Sequence, residues 1–194
     1  MRQSVNSPEN LVELARACEA YVMQASGFQL DYTVETLPVL DQYAREVQET
    51  IETRPELLEL LAHAAGAYFG QVLCGVGPGF WRLPSGNVLD WQVCMREAFL
   101  WLNPIGVAYD VLSQDSEHAG PNAQLRVAAE DRDLVKARLA RLADVPEEEY
   151  YSFSTRMEVI EMVLEELKRQ QDERGYGGMT FDESDYEAEQ QATF

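Results

Sequence analysis

The chain has 194 residues, a formal net charge of −19, and an apolar share of 46%. That apolar share is normal for a globular protein, and the length allows one domain whose core needs no disulfide or metal. The negative charge repels phosphate backbones and anionic lipids, which argues against nucleic acids and membranes as partners. It favours encounter with a basic protein, although many bacterial cytosolic proteins are acidic without such a partner.

The cysteines indicate a reducing compartment. Cys18, Cys74 and Cys94 are odd in number and widely spaced, and no C-x-x-C pair occurs. This pattern is unlike a disulfide framework or a zinc site, so we expect reduced thiols, no cofactor and a cytoplasmic location. The first residues lack an apolar segment, which predicts no signal peptide. No apolar run approaches the roughly 20 residues that span a bilayer.

The first third of the chain predicts helices with a short strand between them. Ser7 and Pro8 begin a helix that ends at Gly27, and we expect this helix to be an appendage of the main domain. Residues 28–32 alternate apolar and polar side chains, as a short strand does. A second helix follows and breaks at Pro55, because the residue before a proline avoids helical geometry.

The segment from Pro55 to about Cys74 has the broadest apolar stripe, which predicts the most buried helix of the fold. Gly66 and Gly70 lie on one face of it, four residues apart. Their missing side chains let another segment approach the helix closely.

The strands are predicted in the middle of the chain, at residues 80–83, 88–94 and 99–102, with a short edge strand at 125–127. A short helix begins near Gly106, and another covers residues 130–142. The last helix runs to about Gln171, with capping-box spacing at Thr155 and Glu158. The expected fold class is α+β, a small antiparallel sheet of three to four strands packed against several helices.

The last segment, residues 172–194, is predicted to be a flexible, disordered acidic tail. It is poor in aliphatic residues, so it cannot bury enough apolar area to offset the entropy of ordering. The expected organisation is one domain over residues 1–171. Its parts are the helical appendage at 7–27, a core at 28–112 and C-terminal helices at 125–171.

Four blocks of the sequence resemble a widespread bacterial family of small α+β domains of unknown function. They are residues 30–33 (LDYT), 67–73 (AYFGQVL), the turn into Phe80 and Trp81, and 99–104 (FLWLNP). In that family a helix ending in a G-A-Y-L-G-E-V-L-like run leads into a G-G-x-W strand, and a later strand ends in N-P or F-P. Here Gln71 stands where the family often has an acidic residue, and Gly79, Phe80 and Trp81 depart from the glycine pair of the G-G-x-W pattern. The resemblance spans residues 30–112 and implies the fold, with no catalytic residue.

Catalytic, cofactor-binding and metal-binding residues are not predicted. His63 and Cys74 are about 16 Å apart along one helix, which is too far for a nucleophile pair. The glycine turn at residues 75–79 precedes a strand and lacks a following lysine, unlike a phosphate-binding loop. Neighbouring carboxylates on a helix do not face each other, so they are read as solvated charge.

The expected function is a non-enzymatic protein-binding module, either an adaptor or an immunity-type inhibitor of a basic partner. One alternative is a small-ligand sensor with an aromatic pocket beside the sheet, where Trp81, Trp91 and Trp101 fall. The other is an enzyme whose residues meet only in the fold, for example His63, Tyr68 and Asp90. The candidate partner-binding residues lie in two acidic segments: Glu147, Glu148, Glu149, Phe181, Asp182, Glu183, Asp185 and Tyr186.

Overall fold

The structure is a computed structural model that describes residues 9–142 and 146–192. Its helices are α1 (Glu9–Ser26), α2 (Leu37–Thr53), α3 (Glu56–Val76), α4 (Pro104–Ser113), α5 (Arg132–Leu139), α6 (Glu147–Tyr150), α7 (Phe153–Glu173) and α8 (Glu183–Ala192). Its strands are β1 (Gly79–Arg82), β2 (Gln92–Met95), β3 (Leu100–Leu102) and β4 (Arg126–Val127). The α+β class is confirmed.

The strands form one antiparallel sheet in the order β1–β2–β3–β4. Phe80, Cys94, Trp101 and Arg126 are paired in register across it, so they share one face. We call this the outer face. The alternate positions point to the other side and join the helices in the main core, among them Val93, Leu100, Leu102 and Val127.

The helix α3 lies in the core, but it is not the most buried helix as its apolar stripe predicted, because every residue of α4 from Pro104 to Leu112 is buried. It packs against α1 and α4 and carries fully buried side chains such as Tyr68 and Phe69. A Cβ added to Gly66 would lie 2.6 Å from the Ile105 Cα, so the backbone of α4 approaches closely here. At Gly70 the close neighbour is the indole of Trp81, 2.1 Å from an added Cβ. Both glycines therefore allow close packing, as predicted.

The helix α1 is part of the core, which differs from the appendage that was expected. Leu11, Ala15, Cys18 and Val22 are all buried and belong to the same cluster as the face of α3. Gly27 ends the helix with φ +74°, the left-handed geometry that glycine adopts without strain. The predicted start at Ser7 and Pro8 lies outside the described residues.

The predicted strand at residues 28–32 is wrong, because residues 28–31 are irregular and the chain bends at Tyr32 and Thr33. Asp31 accepts hydrogen bonds from the Thr33 N–H (3.0 Å) and the Thr36 hydroxyl (3.1 Å). Tyr32 has φ +63°, which is incompatible with an extended strand. Alternation of apolar and polar residues over five positions is too short to distinguish a strand from a turn held by side chains.

The helix α7 begins at a cap that differs from the predicted one. Ser152 accepts a hydrogen bond from the Thr155 N–H (3.1 Å), so the cap lies three residues before the predicted Thr155. Asp41 of α2 is buried and accepts from the Phe153 N–H at 2.6 Å. The cap residue Ser152 thereby accepts from one of the free N–H groups at the start of α7, and Asp41 of another helix accepts from a second one.

One helix among the described residues is long and apolar enough to cross a membrane by length and composition, which corrects the expectation that no apolar run approaches this length. It is α3, Glu56–Val76. More than half of its most apolar stretch is buried inside the protein. The buried core helix of a domain has the same composition.

Candidate functional site

The acidic C-terminal segment is anchored to the sheet by a single tyrosine. Tyr186 of α8 is 1% exposed. Its hydroxyl lies 2.5 Å from the carbonyl oxygen of Met95, 3.2 Å from that of Ala98 and 3.1 Å from that of Leu100. It also accepts a hydrogen bond from the Leu100 N–H at 3.2 Å. The hydroxyl has one proton to donate, and the Met95 carbonyl oxygen is the nearest acceptor, so the side chain joins α8 to the turn between β2 and β3 as donor and as acceptor.

Aromatic contacts complete the anchor. The Tyr186 ring stacks on Phe99 with 4.4 Å between centroids and meets the edge of Phe80 at 5.9 Å. Phe181 is half-buried and packs against Phe99 at 5.5 Å. The Phe181 N–H donates to the carbonyl oxygen of Arg96 at 2.7 Å. These residues form a second apolar cluster on the outer face of the sheet, separate from the main core.

The start of α8 is capped by its own acidic residues. Asp182 accepts from the N–H (2.9 Å) and the hydroxyl (2.6 Å) of Ser184. The Asp182 N–H in turn donates to the carboxylate of Asp185 at 2.8 Å. The hydrogen bonds from Ser184 lower the pKa of the Asp182 carboxyl below its ordinary value. Asp182 is therefore a carboxylate at neutral pH.

The predicted disorder of residues 172–194 is contradicted where the structure describes the segment. The aliphatic content is low, but two aromatic side chains and one hydroxyl replace a larger apolar surface. α7 continues to Glu173, and α8 occupies Glu183–Ala192. Aliphatic content does not predict this order, because the segment is held by aromatic stacking and by hydrogen bonding of Tyr186.

Of the eight candidate partner-binding residues, Tyr186 and Phe181 contact the sheet and are unavailable as exposed aromatic contacts. Asp182, Glu183 and Asp185 are exposed, and so is the neighbouring Glu187. In the part of the chain that the structure describes, none of these four carboxylates forms an ion pair with a basic side chain. We call Asp182, Glu183, Asp185 and Glu187 the acidic surface of α8.

The other predicted acidic segment forms the short helix α6. Glu149 is exposed there. The side chains of Glu147 and Glu148 lie outside the described residues. α6 packs against α7.

A buried polar cluster connects α4, the following loop and α7, and sequence reasoning missed it. Asp110 contacts His118 Nε2 through Oδ1 (2.7 Å) and accepts from Arg156 Nη2 through Oδ2 (2.5 Å). All three side chains are 7% exposed. His118 Nδ1 accepts from the Gly120 N–H at 3.0 Å, so Nε2 carries the proton and donates to Asp110. A histidine, an arginine and an aspartate spread over 46 residues gave no spacing signal.

Two further donors of Arg156 are used by Tyr150. Its Nη1 donates to the Tyr150 hydroxyl (2.7 Å) and its Nε to the Tyr150 carbonyl (3.2 Å). The guanidinium also lies over the Tyr150 ring, 3.6 Å from the centroid. Since both nitrogens of His118 and both oxygens of Asp110 have partners, this arrangement is typical of a structural network that fixes the loop to α7.

The residues named for a scattered active site bond to different neighbours. The Tyr68 hydroxyl accepts from the Tyr32 N–H at 3.0 Å and lies 3.0 Å from the Thr36 hydroxyl. Asp90 accepts from Ser85. His63 lies edge-on to Tyr109 at 6.4 Å, and burial lowers its pKa. The described contacts do not bring His63, Tyr68 and Asp90 together.

The thiols are buried and resist ionisation. Burial raises the pKa of Cys74 to about 12 and that of Cys94 to about 12, and it raises the pKa of Cys18 further. A nucleophilic cysteine needs the opposite shift. Among the described residues, no group of three His, Cys, Asp or Glu side chains is placed to hold a metal ion.

The tryptophans predicted to border a ligand pocket make packing contacts. The Trp81 indole fills the space above Gly70, and it meets Trp91 edge-on at 6.2 Å. Trp91 is 2% exposed. Trp101 is half-buried on the outer face beside the cluster that holds Tyr186. These contacts favour core packing over a ligand pocket at Trp81 and Trp91.

The sequence matches no protein-family model and no curated protein, and the fold matches no solved structure. The resemblance to the bacterial α+β family stays a prediction.

Proposed function

We propose that this protein is a non-enzymatic protein-binding module that recognises a basic partner through the acidic surface of α8. The observation that carries the proposal is an ordered set of exposed carboxylates at Asp182, Glu183, Asp185 and Glu187, which form no ion pair within the described residues and are fixed around the buried Tyr186. An ordered surface loses less conformational entropy on binding than a disordered tail. Opposite charge also accelerates encounter and disfavours acidic competitors.

An adaptor or an immunity-type inhibitor of a basic enzyme or toxin would use such a surface. The net charge of −19 extends the attraction beyond the contact itself. The bonding of Asp110, His118 and Arg156 to one another supports a structural role for the buried polar residues. The high pKa of the thiols suits a reducing, cytoplasmic location, which we propose together with the function.

The proposal is tested by affinity capture from a lysate of the source organism with three baits at equal density. The baits are the wild type, E183K/E187K on α8 and E49K/E52K on α2. All four glutamates are exposed, and their side chains make no hydrogen bond or ion pair within the described residues. Both variants change the net charge equally, so the control separates a local surface from general ion exchange.

We expect the wild type and E49K/E52K to capture the same basic protein, and E183K/E187K to recover at least about tenfold less of it. The interaction of the purified partner should weaken with added salt, because exposed charges are screened. Equal loss with both variants, or no loss with E183K/E187K, would overturn the proposal.

A further inference from the structure

Three arginines lie at the outer face of the sheet in a chain that is strongly acidic. Arg126 is opposite Trp101, and Arg82 lies two residues after Phe80, so both arginines share the face of these aromatic side chains. Arg96 places its guanidinium 4.5 Å from the centroid of the Phe80 ring. The chain has only 15 basic residues against 34 acidic ones. Three arginines therefore lie beside this aromatic cluster, of which Arg82 is buried and donates to the Gln92 side chain at 3.1 Å.

Residues 181–192, which we call the strap, cover the aromatic cluster of this face. The Tyr186 hydroxyl occupies a socket made by the carbonyl oxygens of Met95, Ala98 and Leu100. Removal of the hydroxyl takes away a donor to the Met95 carbonyl oxygen, whereas the Ala98 carbonyl oxygen keeps its hydrogen bond from the Leu100 N–H at 2.8 Å. The socket is thus shaped for a hydroxyl donor on a flat ring that stacks on Phe99.

The strap is held by few contacts with the sheet and follows a turn that contains glycine. Its described side-chain contacts with the sheet come from Tyr186 and Phe181, with one backbone hydrogen bond from the Phe181 N–H. The preceding turn contains Gly175 (φ +81°) and Gly178 (φ +79°), which rotate without the cost of a Cβ. A segment with so few buried contacts opens at a lower free energy than the whole domain.

We propose that the outer face is a second interaction surface, which binds an acidic helical segment of a partner protein through a tyrosine of that segment, and that the strap occupies this surface in the resting chain. The chemistry of the partner is taken from the strap itself, which combines a tyrosine in the socket with Asp182, whose carboxyl is stabilised in its charged form by Arg96 among other groups. The face carries arginines and aromatic side chains, so an acidic segment is complementary to it.

This surface lies beneath the strap, whereas the acidic surface of α8 lies on its exposed side. The partner proposed here is acidic and not basic, so failure of either proposal leaves the other standing. A strap tethered by a short linker competes at an effective concentration on the order of millimolar. A partner at micromolar concentration therefore needs about a thousandfold higher intrinsic affinity, or an event that loosens the strap.

The test uses full-length Y186A, in which the anchor is lost but the face is intact. The probe is a fluorescently labelled synthetic peptide of residues 179–192, followed by anisotropy. We expect this peptide to bind Y186A at least about tenfold more tightly than the wild type, because the wild-type strap competes. A peptide carrying the Tyr186→Phe change should bind Y186A about fivefold more weakly, since it lacks the hydroxyl. Full-length Y176A is the matched control, because Tyr176 is 62% exposed, and it should bind as weakly as the wild type.

Failure of Y186A to bind the peptide, or equal binding by Y186A and the wild type, would overturn the proposal. Binding of a labelled single-stranded oligonucleotide in place of the peptide would also overturn it, in favour of a nucleic-acid surface. If Y186A loses its near-ultraviolet circular dichroism, full-length Y186F replaces it. Y186F keeps the ring and weakens the strap, and it must then bind the peptide more tightly than the wild type does.

Discussion

At the scale of single residues, burial decides which chemical groups are active. The thiols of Cys18, Cys74 and Cys94 are enclosed by apolar neighbours, so their charged forms are disfavoured. Burial also disfavours the charged form of His63, because its Nε2 is buried and has no hydrogen-bond partner in the described structure. These two cases lead to separate predictions.

The thiols should be unreactive in the native protein. With a pKa of about 12, Cys74 and Cys94 are thiolates at a fraction of about one in ten thousand at pH 8. We expect reaction with DTNB to be at least about a hundredfold slower in buffer than in denaturant, where all three thiols should react rapidly. A thiol that reacts in the native state at the rate of free cysteine would contradict this prediction.

Stability should fall as the pH drops below the ordinary pKa of histidine. Burial lowers the pKa of folded His63 below 6.5. Between that lowered value and 6.5 the unfolded chain binds a proton that the folded chain does not, so the free energy of unfolding decreases as the pH falls. H63F keeps a ring beside Tyr109 and removes the titration.

The measurement for His63 is urea denaturation of the wild type and H63F at about pH 7.5 and about pH 5.5. The wild type should lose more stability than H63F over this range. His118 is present in both proteins, so its contribution cancels. Equal losses would show that His63 does not titrate differently in the folded state.

The residue scale is also where sequence reasoning was weakest. The lack of a His63–Cys74 pair could be argued from helical rise alone. The bonding of Asp110 with His118 and Arg156 could not, because it depends on how α7 and the loop after α4 meet. Polar residues that become partners through tertiary packing carry no local spacing signal.

At the scale of elements, the packing of α3 is controlled by its glycines. Gly66 faces the backbone of α4, which cannot rotate away as a side chain can. Gly75 lies on the same helix, but an added Cβ there would have its nearest neighbour at 3.9 Å, an ordinary contact. The two positions form a matched pair for one substitution.

G66A should destabilise the protein by about 2–3 kcal/mol, because an overpacked contact forces the helices apart. G75A should be neutral or stabilising by up to about 1 kcal/mol, since alanine favours helix more than glycine does. Chemical denaturation of both variants gives the two values. A cost at G66A no larger than that at G75A would contradict the close approach of α4.

Elements whose formation depends on local sequence were predictable. The apolar stripe of α3 and the turn-bounded runs of β1 and β3 depend on local sequence, and all three formed close to their expected bounds. The irregular segment at residues 28–32 and the start of α7 depend on distant or polar contacts, such as Asp41 of α2 bonding to the Phe153 N–H. A local sequence pattern cannot predict such long-range caps.

At the scale of the whole molecule, α8 separates two surfaces of different charge. The acidic surface of α8 is exposed, while its Tyr186 joins the aromatic, arginine-bearing outer face of the sheet. Composition alone predicted a disordered tail over this segment. One well-placed tyrosine changes that outcome, because its ring and hydroxyl together provide both apolar burial and hydrogen bonding.

The most direct test of an ordered acidic surface is hydrogen–deuterium exchange of the full chain over residues 183–192, compared between wild type and Y186A. We predict wild-type amides in α8 to exchange at least about tenfold more slowly than an unstructured chain, and Y186A to lose this protection while α3 keeps its own. Exchange of wild-type α8 at the unstructured rate would contradict the anchored helix, and with it the binding surface that we propose.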